Sequence, residues 1–413
     1  MDYIVNGEKK LSGSLSVYGA KNCALTLLAA TVLTDDEVVL TNCPQIVDVN
    51  NMLLLLSAIG KRVKRAGDVV SVKGVPTGGV IPREIACLLR GSALLLAPCL
   101  ARCGSVVLPL PGGCAIGLRP MDIHIDGLRH MGVSVTDEGN SLYCVGKPCG
   151  TYYPLRFASV GATENLICAA ATGKGEFVLS NCALEPEVVA LCQMLVKMGA
   201  KIEGVGRSTL RIFGCDKLHG AEFRVIPDRI VAATYLSAVI ASGGDLALKN
   251  CVPQHFRAFC QEVLNNFTFR LREDEVYIKV KRPPRGYGHI VTAPYPAFHT
   301  DMQSQLLSIA ALSRGRTYVT ERLFENRLEH NCRMLQQMGA KIALFGDTAR
   351  VDGGKLHGAE VTSADLRGGA ALMVAALGAE GKTIVRDDGH ILRGYVDFHR
   401  ALSSLGADIE FST

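Results

Sequence analysis

Tryptophan is absent, and aromatic residues make up only 6% of the 413-residue chain. That scarcity argues against the stacking platforms on which single-stranded nucleic acids lie. Charge is also sparse: Asp, Glu, Lys and Arg together are 20% of the residues, and the net charge is +5. With 48% hydrophobic residues beside so little charge, the composition is that of packed cores, not of a disordered chain. The one compact basic stretch, Lys61-Arg62-Val63-Lys64-Arg65, reads as the solvated end of a strand or helix in preference to a nucleic-acid site. Long apolar runs are missing. Leu53 to Ile59 and Ala93 to Leu100 are too short to span a bilayer, and the opening MDYIVNGEKKLSG has no apolar signal core. The expectation is a soluble, cytoplasmic protein that neither inserts into membranes nor binds nucleic acid.

Cysteine, by contrast, is plentiful, but the 15 residues are odd in number and form no regular framework. Several lie in apolar stretches, Cys87, Cys168 and Cys260 among them. Buried free thiols in a reducing compartment are the simplest account. Neither the pair Cys99 and Cys103 nor the pair Cys144 and Cys149 has zinc-type spacing to a second pair or to histidines. Neither a metal nor a cofactor is expected.

The length exceeds one ordinary core, so two domains are the default. One pattern recurs six times. A polar residue opens an Ala-rich apolar helix, a Gly turn and a β-branched strand follow, and a second helix ends in a phrase like Leu-x-x-Met-Gly-Ala before another strand. The openings are Lys21-Asn22, Arg90-Gly91, Gly161-Ala162, Asp228-Arg229, Asp301-Met302 and Asp365-Leu366. The closing glycines are Gly60, Gly132, Gly199, Gly339 and Gly406, while the fourth copy closes without one around Asn265 to Arg270. Gly173, Gly315 and Gly381 fit helix-to-strand turns. Helices apolar on most faces, such as Leu94 to Ala101 and Leu306 to Leu312, belong inside. The sheets must then lie outside, one face to solvent, which is an inside-out α/β arrangement.

Chemistry concentrates first in Leu108 to Leu128, LPLPGGCAIGLRPMDIHIDGL. The glycines make Pro111 to Gly117 a mobile loop carrying Cys114, with the cation Arg119 five residues on. This is either a reactive thiol or a surface turn with an inert one. Lys21, Arg90 and Ser159-Val160-Gly161-Ala162-Thr163 stand at helix openings, where backbone N–H groups favour anions. With Arg119, Arg367 and Arg393 they point to a substrate with more than one acidic group. Asp228, Asp301 and Asp365 each open a repeat helix. Capping accounts for two of the three, and one is left to meet substrate. His124, in the alternating Ile123-His124-Ile125, reads as a candidate or as a surface strand residue, and His299 is a further candidate.

GAKNCAL, the long cysteine-loop motif, SVGATEN, EPE, PDRI, TDMQ, FENR, DLR and LRGY follow one another in this order. In this the chain resembles, over essentially its whole length, the UDP-N-acetylglucosamine enolpyruvyltransferases (1-carboxyvinyltransferases). The cysteine loop sets that family apart from the related shikimate 3-phosphate enolpyruvyltransferases. The resemblance implies an α/β fold of two inside-out α/β barrels, each with a threefold internal repeat. One domain would be residues 21–227, carrying the Cys114 loop. The other would be discontinuous, 1–20 plus 228–413, carrying Asp301 and Arg393, with the active site in the cleft between them. It implies addition of the 3′-hydroxyl of UDP-N-acetylglucosamine to C2 of phosphoenolpyruvate and expulsion of phosphate, a first step of peptidoglycan precursor synthesis, with these two small molecules as partners.

By the same resemblance Cys114 protonates C3, assists product release and is the thiol attacked by the epoxide fosfomycin. Asp301 is the base for the sugar hydroxyl, and Lys21 joins these two as a catalytic residue. Lys21, Arg90, Arg119 and Arg393, with Cys114, hold phosphoenolpyruvate. Asn22, Arg90, Arg119, Pro120, Met121, Asp122, Ile123, His124, Ser159, Val160, Gly161, Asp301 and Leu323 hold the nucleotide sugar. Three departures stand out. The usual PGFPTD is here Pro296-Ala-Phe-His-Thr-Asp301. The Glu-Thr-Gly-Thr after PDRI is Val231-Ala-Ala-Thr234. Phe157 stands where some members have a diphosphate-facing lysine. They motivate an alternative, a catalytically weakened paralogue that binds nucleotide sugar or a protein partner in a regulatory role. Shikimate-type transfer is a third reading, opposed by the Arg119-Pro120 wall.

Overall fold

The computed structural model describes residues 1–110 and 121–412. Among them the chain divides into two compact units, 1–18 with 227–412 and 19–110 with 121–226. Every helix that the repeat pattern marks as apolar is buried, and the strands flank it. In the first unit Arg229–Ser242, Gln303–Ala311 and Leu366–Gly378 pack against one another. All twelve residues from Leu366 to Leu377 are buried, which only a helix apolar on every face tolerates. Small residues let these helices approach closely. A Cβ added at Gly378 would lie 2.5 Å from Leu312 and 2.6 Å from the carbonyl of Ala241, one on each neighbouring helical segment. In the second unit Leu96–Cys103 packs against Val160–Ala171, while Lys21–Ala30 packs on Pro186–Lys197 and on the 3-10 run Arg90–Leu95. The outer helices are amphipathic instead. Arg327–Gln337 buries Leu328, Asn331, Cys332 and Leu335 on one stripe and leaves the other face wet.

Each repeat lays down one sheet, in which the strand after the inner helix runs antiparallel to the last strand of the repeat. In the third, fifth and sixth repeats that strand also runs parallel to the strand before the helix, whereas in the first, Val38–Thr41 takes Glu222–Arg224 as its parallel partner, and the fourth takes an N-terminal strand. Glu176–Ser180, for example, pairs parallel with Tyr152–Pro154 and antiparallel with Leu210–Phe213, which in turn pairs with Lys201–Glu203. The sixth repeat lacks its own last strand, and the N-terminus supplies it. Asp2–Asn6 lies between Lys382–Arg386 and Asp408–Ser412, with Ile4 opposite both Ile384 and Glu410. Leu11–Ser16 then pairs parallel with Gly244–Lys249. The second repeat forms a three-stranded sheet, extended by a single parallel bridge from Val80 to Val107.

The five closing glycines all have positive φ, from 81° at Gly132 to 104° at Gly406, as a left-handed helix end requires. The fourth repeat closes instead through Arg257–Val263 and the short 3-10 turn Leu264–Asn266, with no glycine.

Three expectations are corrected. The left-handed turn residue of the third repeat is Gly175, φ 96°, and not Gly173. Gly173 is small for another reason, since a Cβ there would stand 2.5 Å from the Phe177 ring. Cys168 and Cys260 are buried, but Cys87 is exposed at the end of the one-turn helix Arg83–Ala86. Lys61 is not part of a solvated basic end. It is buried and donates to the carbonyls of Thr34 at 2.7 Å and Gly74 at 2.6 Å, while Arg62–Ala66 is the edge strand beside it. No helix of the described residues is long and apolar enough to cross a membrane.

Candidate active site

In the first unit the three helix-opening aspartates separate by role. Asp228 Oδ1 accepts from the N–H groups of Ile230 and Val231 at 2.8 and 3.0 Å. Asp365 Oδ1 accepts from those of Arg367 and Gly368 at 2.9 and 3.0 Å. Both are caps, each stabilising its helix by about 1 kcal/mol. Asp301 is not a cap. His299 takes that position, its Nδ1 accepting from the Asp301 N–H at 3.1 Å. The Asp301 carboxylate therefore points elsewhere, to two arginines. Its Oδ1 accepts from Arg327 Nη2 at 2.8 Å, and Arg367 Nε lies 3.8 Å from Oδ2. The arginine side chains are 2% and 4% exposed, the Asp301 side chain 19%, so the carboxylate is the accessible end of a buried cluster.

Burial alone would raise the Asp301 carboxyl, but the Arg327 and Arg367 charges outweigh it and hold it well below the usual carboxylate range. Burial and then the Arg229 charge push the His299 imidazole down to about 3, so it is neutral. Gaining His299 beside Asp301 thus adds a backbone cap and no charge. Behind the cluster, Arg367 Nη1 reaches the Tyr395 hydroxyl at 3.4 Å, which meets Thr234 Oγ1 at 2.9 Å. Val231, Ala232 and Ala233 are fully buried inside their helix, so that departure changes packing and presents no side chain to a ligand. Leu323 and Arg393 are half-buried, Arg393 at the end of the turn Ile391–Arg393.

In the second unit Lys21 is the first residue of its helix, and Ala20 before it offers no side-chain cap. A cation there opposes the helix dipole. The fold compensates with Asp48, whose Oδ2 accepts from Lys21 Nζ at 2.8 Å and whose side chain is 2% exposed. Asn22 and Arg90 are half-buried, Arg90 opening the 3-10 run Arg90–Leu95. Asn165 joins that run to the helix Val160–Ala171, donating from Nδ2 to the Ala93 carbonyl at 3.1 Å. Ser159 caps the latter helix, its Oγ accepting from the Ala162 N–H at 3.4 Å. Val160 and Gly161 follow, half-buried. Phe157 is 45% exposed.

His124 corrects the strand alternative. It lies in the helix Asp122–His130 and is 8% exposed. The alternation of Ile123 and Ile125 concealed a helical stripe in which Ile123, Gly127 and Leu128 turn inward at helical spacing. Its Nε2 would stand 3.3 Å from a Cβ at Gly161, so the small residue makes room for the ring. Residues 122–124 and 159–161 are thereby brought together, with Met121 half-buried just before them and Asp122 ion-paired to Arg156. Cys114, Arg119 and Pro120 lie outside the described residues.

Burial pushes His124 down to about 4, a backbone hydrogen bond with Gly161 opposing only in part. The unfolded state, with an ordinary imidazole near 6.5, binds the extra proton first. His124 therefore leaves stability untouched above about pH 6.5, and a few kcal/mol are lost as pH falls from there toward about 4. We expect His124→Gln to flatten this part of the pH–stability curve. Denaturant titrations across pH 4–7 that show the same slope for both proteins would remove His124 as its source.

Sequence reasoning missed Arg327 and Asp48. Arg327 lies in the FENR phrase, but a lone arginine at a repeat boundary reads as solvent-facing, and this one is 3% exposed. Asp48 carried a weak signal, an acid in the first turn of an otherwise apolar helix, Val47–Ala58. Among the described residues no cluster of His, Cys, Asp and Glu could hold a metal ion.

Comparison with known proteins adds the following. The family model described as EPSP synthase (3-phosphoshikimate 1-carboxyvinyltransferase) matches residues 5–402. The chain is 42% identical over 421 residues to a UDP-N-acetylglucosamine 1-carboxyvinyltransferase of Sulfurovum sp., covering 99% of this chain and 98% of the relative. It is 42% identical over 418 residues to a protein of the same name from Granulibacter bethesdensis, covering 99% of each. Among solved structures, the enolpyruvyl transferase NikO from Streptomyces tendae superposes with a TM-score of 0.88 at 25% identity, covering 99% of this chain and 98% of that one. An EPSP synthase from Acinetobacter baumannii, at 18% identity and a TM-score of 0.73 over 99% and 100% of the two chains, shares the fold.

Proposed function

The chain belongs to the 1-carboxyvinyltransferases of the EPSP synthase family and is a transferase; from that premise we propose that it moves the enolpyruvyl group of phosphoenolpyruvate to the 3′-hydroxyl of UDP-N-acetylglucosamine, in the cytoplasm, for peptidoglycan precursor synthesis. The observation that carries the reading to a mechanism is the separation of the three aspartates. Asp228 and Asp365 cap their helices, whereas Asp301 caps none and directs its carboxylate to Arg327 and Arg367.

The reaction adds a proton to C3 of phosphoenolpyruvate and the sugar oxygen to C2. The tetrahedral adduct then loses a C3 proton and its C2–O bond to phosphate. Asp301 is ionised but weakly basic, because two arginines already share its charge. Such a group orients the hydroxyl and takes its proton late, once bonding to C2 has made that oxygen acidic. Lys21, Arg90 and Arg393, with Arg119, neutralise the phosphate and carboxylate, and the phosphate gains charge as its bond to C2 breaks. Ser159, Val160 and Gly161 hold the diphosphate at a helix N-terminus. Asn22, Met121, Asp122, Ile123, His124, Pro120 and Leu323 line the sugar and uracil. Cys114 delivers the C3 proton and reacts with fosfomycin.

The test is phosphate release by the purified protein. Release that requires both substrates and stops with fosfomycin is the expected result, and fosfomycin should no longer label the Cys114→Ser protein. Release that depends on shikimate 3-phosphate instead would overturn the substrate. Calorimetric binding of UDP-N-acetylglucosamine without any release would favour the weakened paralogue.

A further inference from the structure

Glu321 takes no part in the chemistry just described, yet it organises the surroundings of two groups that do. It is 4% exposed. Its Oε1 accepts from Thr292 Oγ1 at 2.9 Å and from the backbone N–H groups of Leu323 at 2.8 Å and Phe324 at 3.3 Å. Its Oε2 accepts from Thr300 Oγ1 at 2.7 Å. Four donors converge on one carboxylate, which suits an ionised group that only accepts.

The Thr300 hydroxyl has a single proton, and the geometry decides where it goes. Arg327 Nη1 donates to Thr300 Oγ1 at 2.8 Å, so that oxygen is already an acceptor. Its own proton must point to Glu321. The other amino group of the same guanidinium, Nη2, donates to Asp301 Oδ1 at 2.8 Å. A continuous chain thus runs from Glu321 through Thr300 and Arg327 to Asp301. Thr300 and Arg327 are 4% and 3% exposed, so water does not substitute readily for a lost link. By its other oxygen, Oε1, the same carboxylate fixes the backbone of Leu323.

We propose that Glu321 is a positioning residue that sets Asp301, through Thr300 and Arg327, and Leu323, through its backbone, for the nucleotide sugar. The inference rests on the reaction proposed above. It touches no substrate and moves no proton in the reaction. Its work is to hold the Arg327 fork at one angle, so that Asp301 Oδ1 stays where the sugar hydroxyl is met.

Thr300 offers the cleanest test, since Thr300→Val keeps shape and removes only the hydroxyl. Glu321→Gln complements it, because the amide turns one acceptor into a donor that faces donors. Steady-state kinetics of the full chain, with active-site titration and thermal melts, would separate positioning from folding. We expect Thr300→Val and Glu321→Gln to raise KM for UDP-N-acetylglucosamine about tenfold or more, the scale of one lost hydrogen bond to a charged group. KM for phosphoenolpyruvate should stay within about twofold, and Thr300→Ser, which restores the hydroxyl, should return to wild type. If Glu321→Gln does not fold, the Thr300 pair decides alone. Unchanged KM in Thr300→Val, with only the active fraction or melting point lowered, overturns the inference, as does Thr300→Ser behaving like Thr300→Val. Wild-type protein without release dependent on nucleotide sugar overturns the functional reading and the inference with it. Wild type active beside a silent Thr300→Val overturns the inference alone.

Discussion

Asp301→Ala is expected to lower turnover by about 10²–10⁴-fold, the usual worth of a positioned proton acceptor, while UDP-N-acetylglucosamine still binds, weaker by about the tenfold that one hydrogen bond to a charged group is worth. The structure makes this a sharper experiment than a simple deletion. Removing the carboxylate leaves Arg327 and Arg367 buried, with less negative charge beside them. Each keeps one neutral partner, Thr300 for Arg327 and Tyr395 for Arg367. Truncating one member of a fully buried ion pair costs about 3–5 kcal/mol, and the 19% exposure of Asp301 reduces that here. A melting curve must therefore accompany the rate.

Asp301→Asn divides the two roles. It keeps an oxygen for Arg327 Nη2 but cannot hold the proton. Turnover as low as in Asp301→Ala would identify proton acceptance as the essential part. Near-normal turnover in Asp301→Asn would reduce Asp301 to a positioning group, and near-normal turnover in Asp301→Ala would remove it from the mechanism. The arginines also set the sign of the pH effect. A carboxyl held below its ordinary value contributes stability above that value and loses it as pH falls through the lowered one. Asp301 should therefore not produce an activity limb near neutrality.

Lys21→Met should lower kcat/KM for phosphoenolpyruvate by about 10²–10³-fold, the effect of removing one partner of a buried, hydrogen-bonded charge pair. Nucleotide-sugar binding should persist. Two stability effects oppose each other. Asp48 loses its 2.8 Å contact with Lys21, while the helix sheds a cation that its N-terminal dipole disfavours by about 0.3–1 kcal/mol. The dipole gain offsets only a fraction of the cost of leaving buried Asp48 without that partner, so a melting curve must accompany this rate as well. Lys21→Arg should not rescue, since a planar fork does not replace a compact ammonium. The structure leaves Lys21 on Asp48, so phosphoenolpyruvate must compete for it. An unchanged kcat/KM would show that the other cations suffice and that Lys21 belongs to the fold alone.

Much of the fold was legible because its determinants are local. The closing glycines, the Ala-rich helices and the β-branched strands each report the conformation of their own segment, and the structure has positive φ at all five closing glycines. Where two local patterns overlap, reading failed. Ile123-His124-Ile125 alternates like a strand, and only the neighbouring Gly127 and Leu128, packed inward, make it a helix. Gly173 and Gly175 differ by what stands beside them in space, a phenylalanine ring for one and a left-handed turn for the other.

The site divides in the same way. The sequence by itself determined the repeat, the layering of buried helices under sheets, and which residues open each helix, because periodicity and helix-end chemistry act within a few residues. It also narrowed the three aspartates to two caps and one remainder. The motif resemblance already pointed to Asp301; tertiary structure alone decided that Asp301 caps no helix, that Arg327 and Arg367 hold it ionised, and that Lys21 rests on Asp48, 27 residues away. Those outcomes depend on burial and on charges contributed by distant segments. A buried charge is tolerated only beside its partner, and which partner arrives is settled by how the repeats pack.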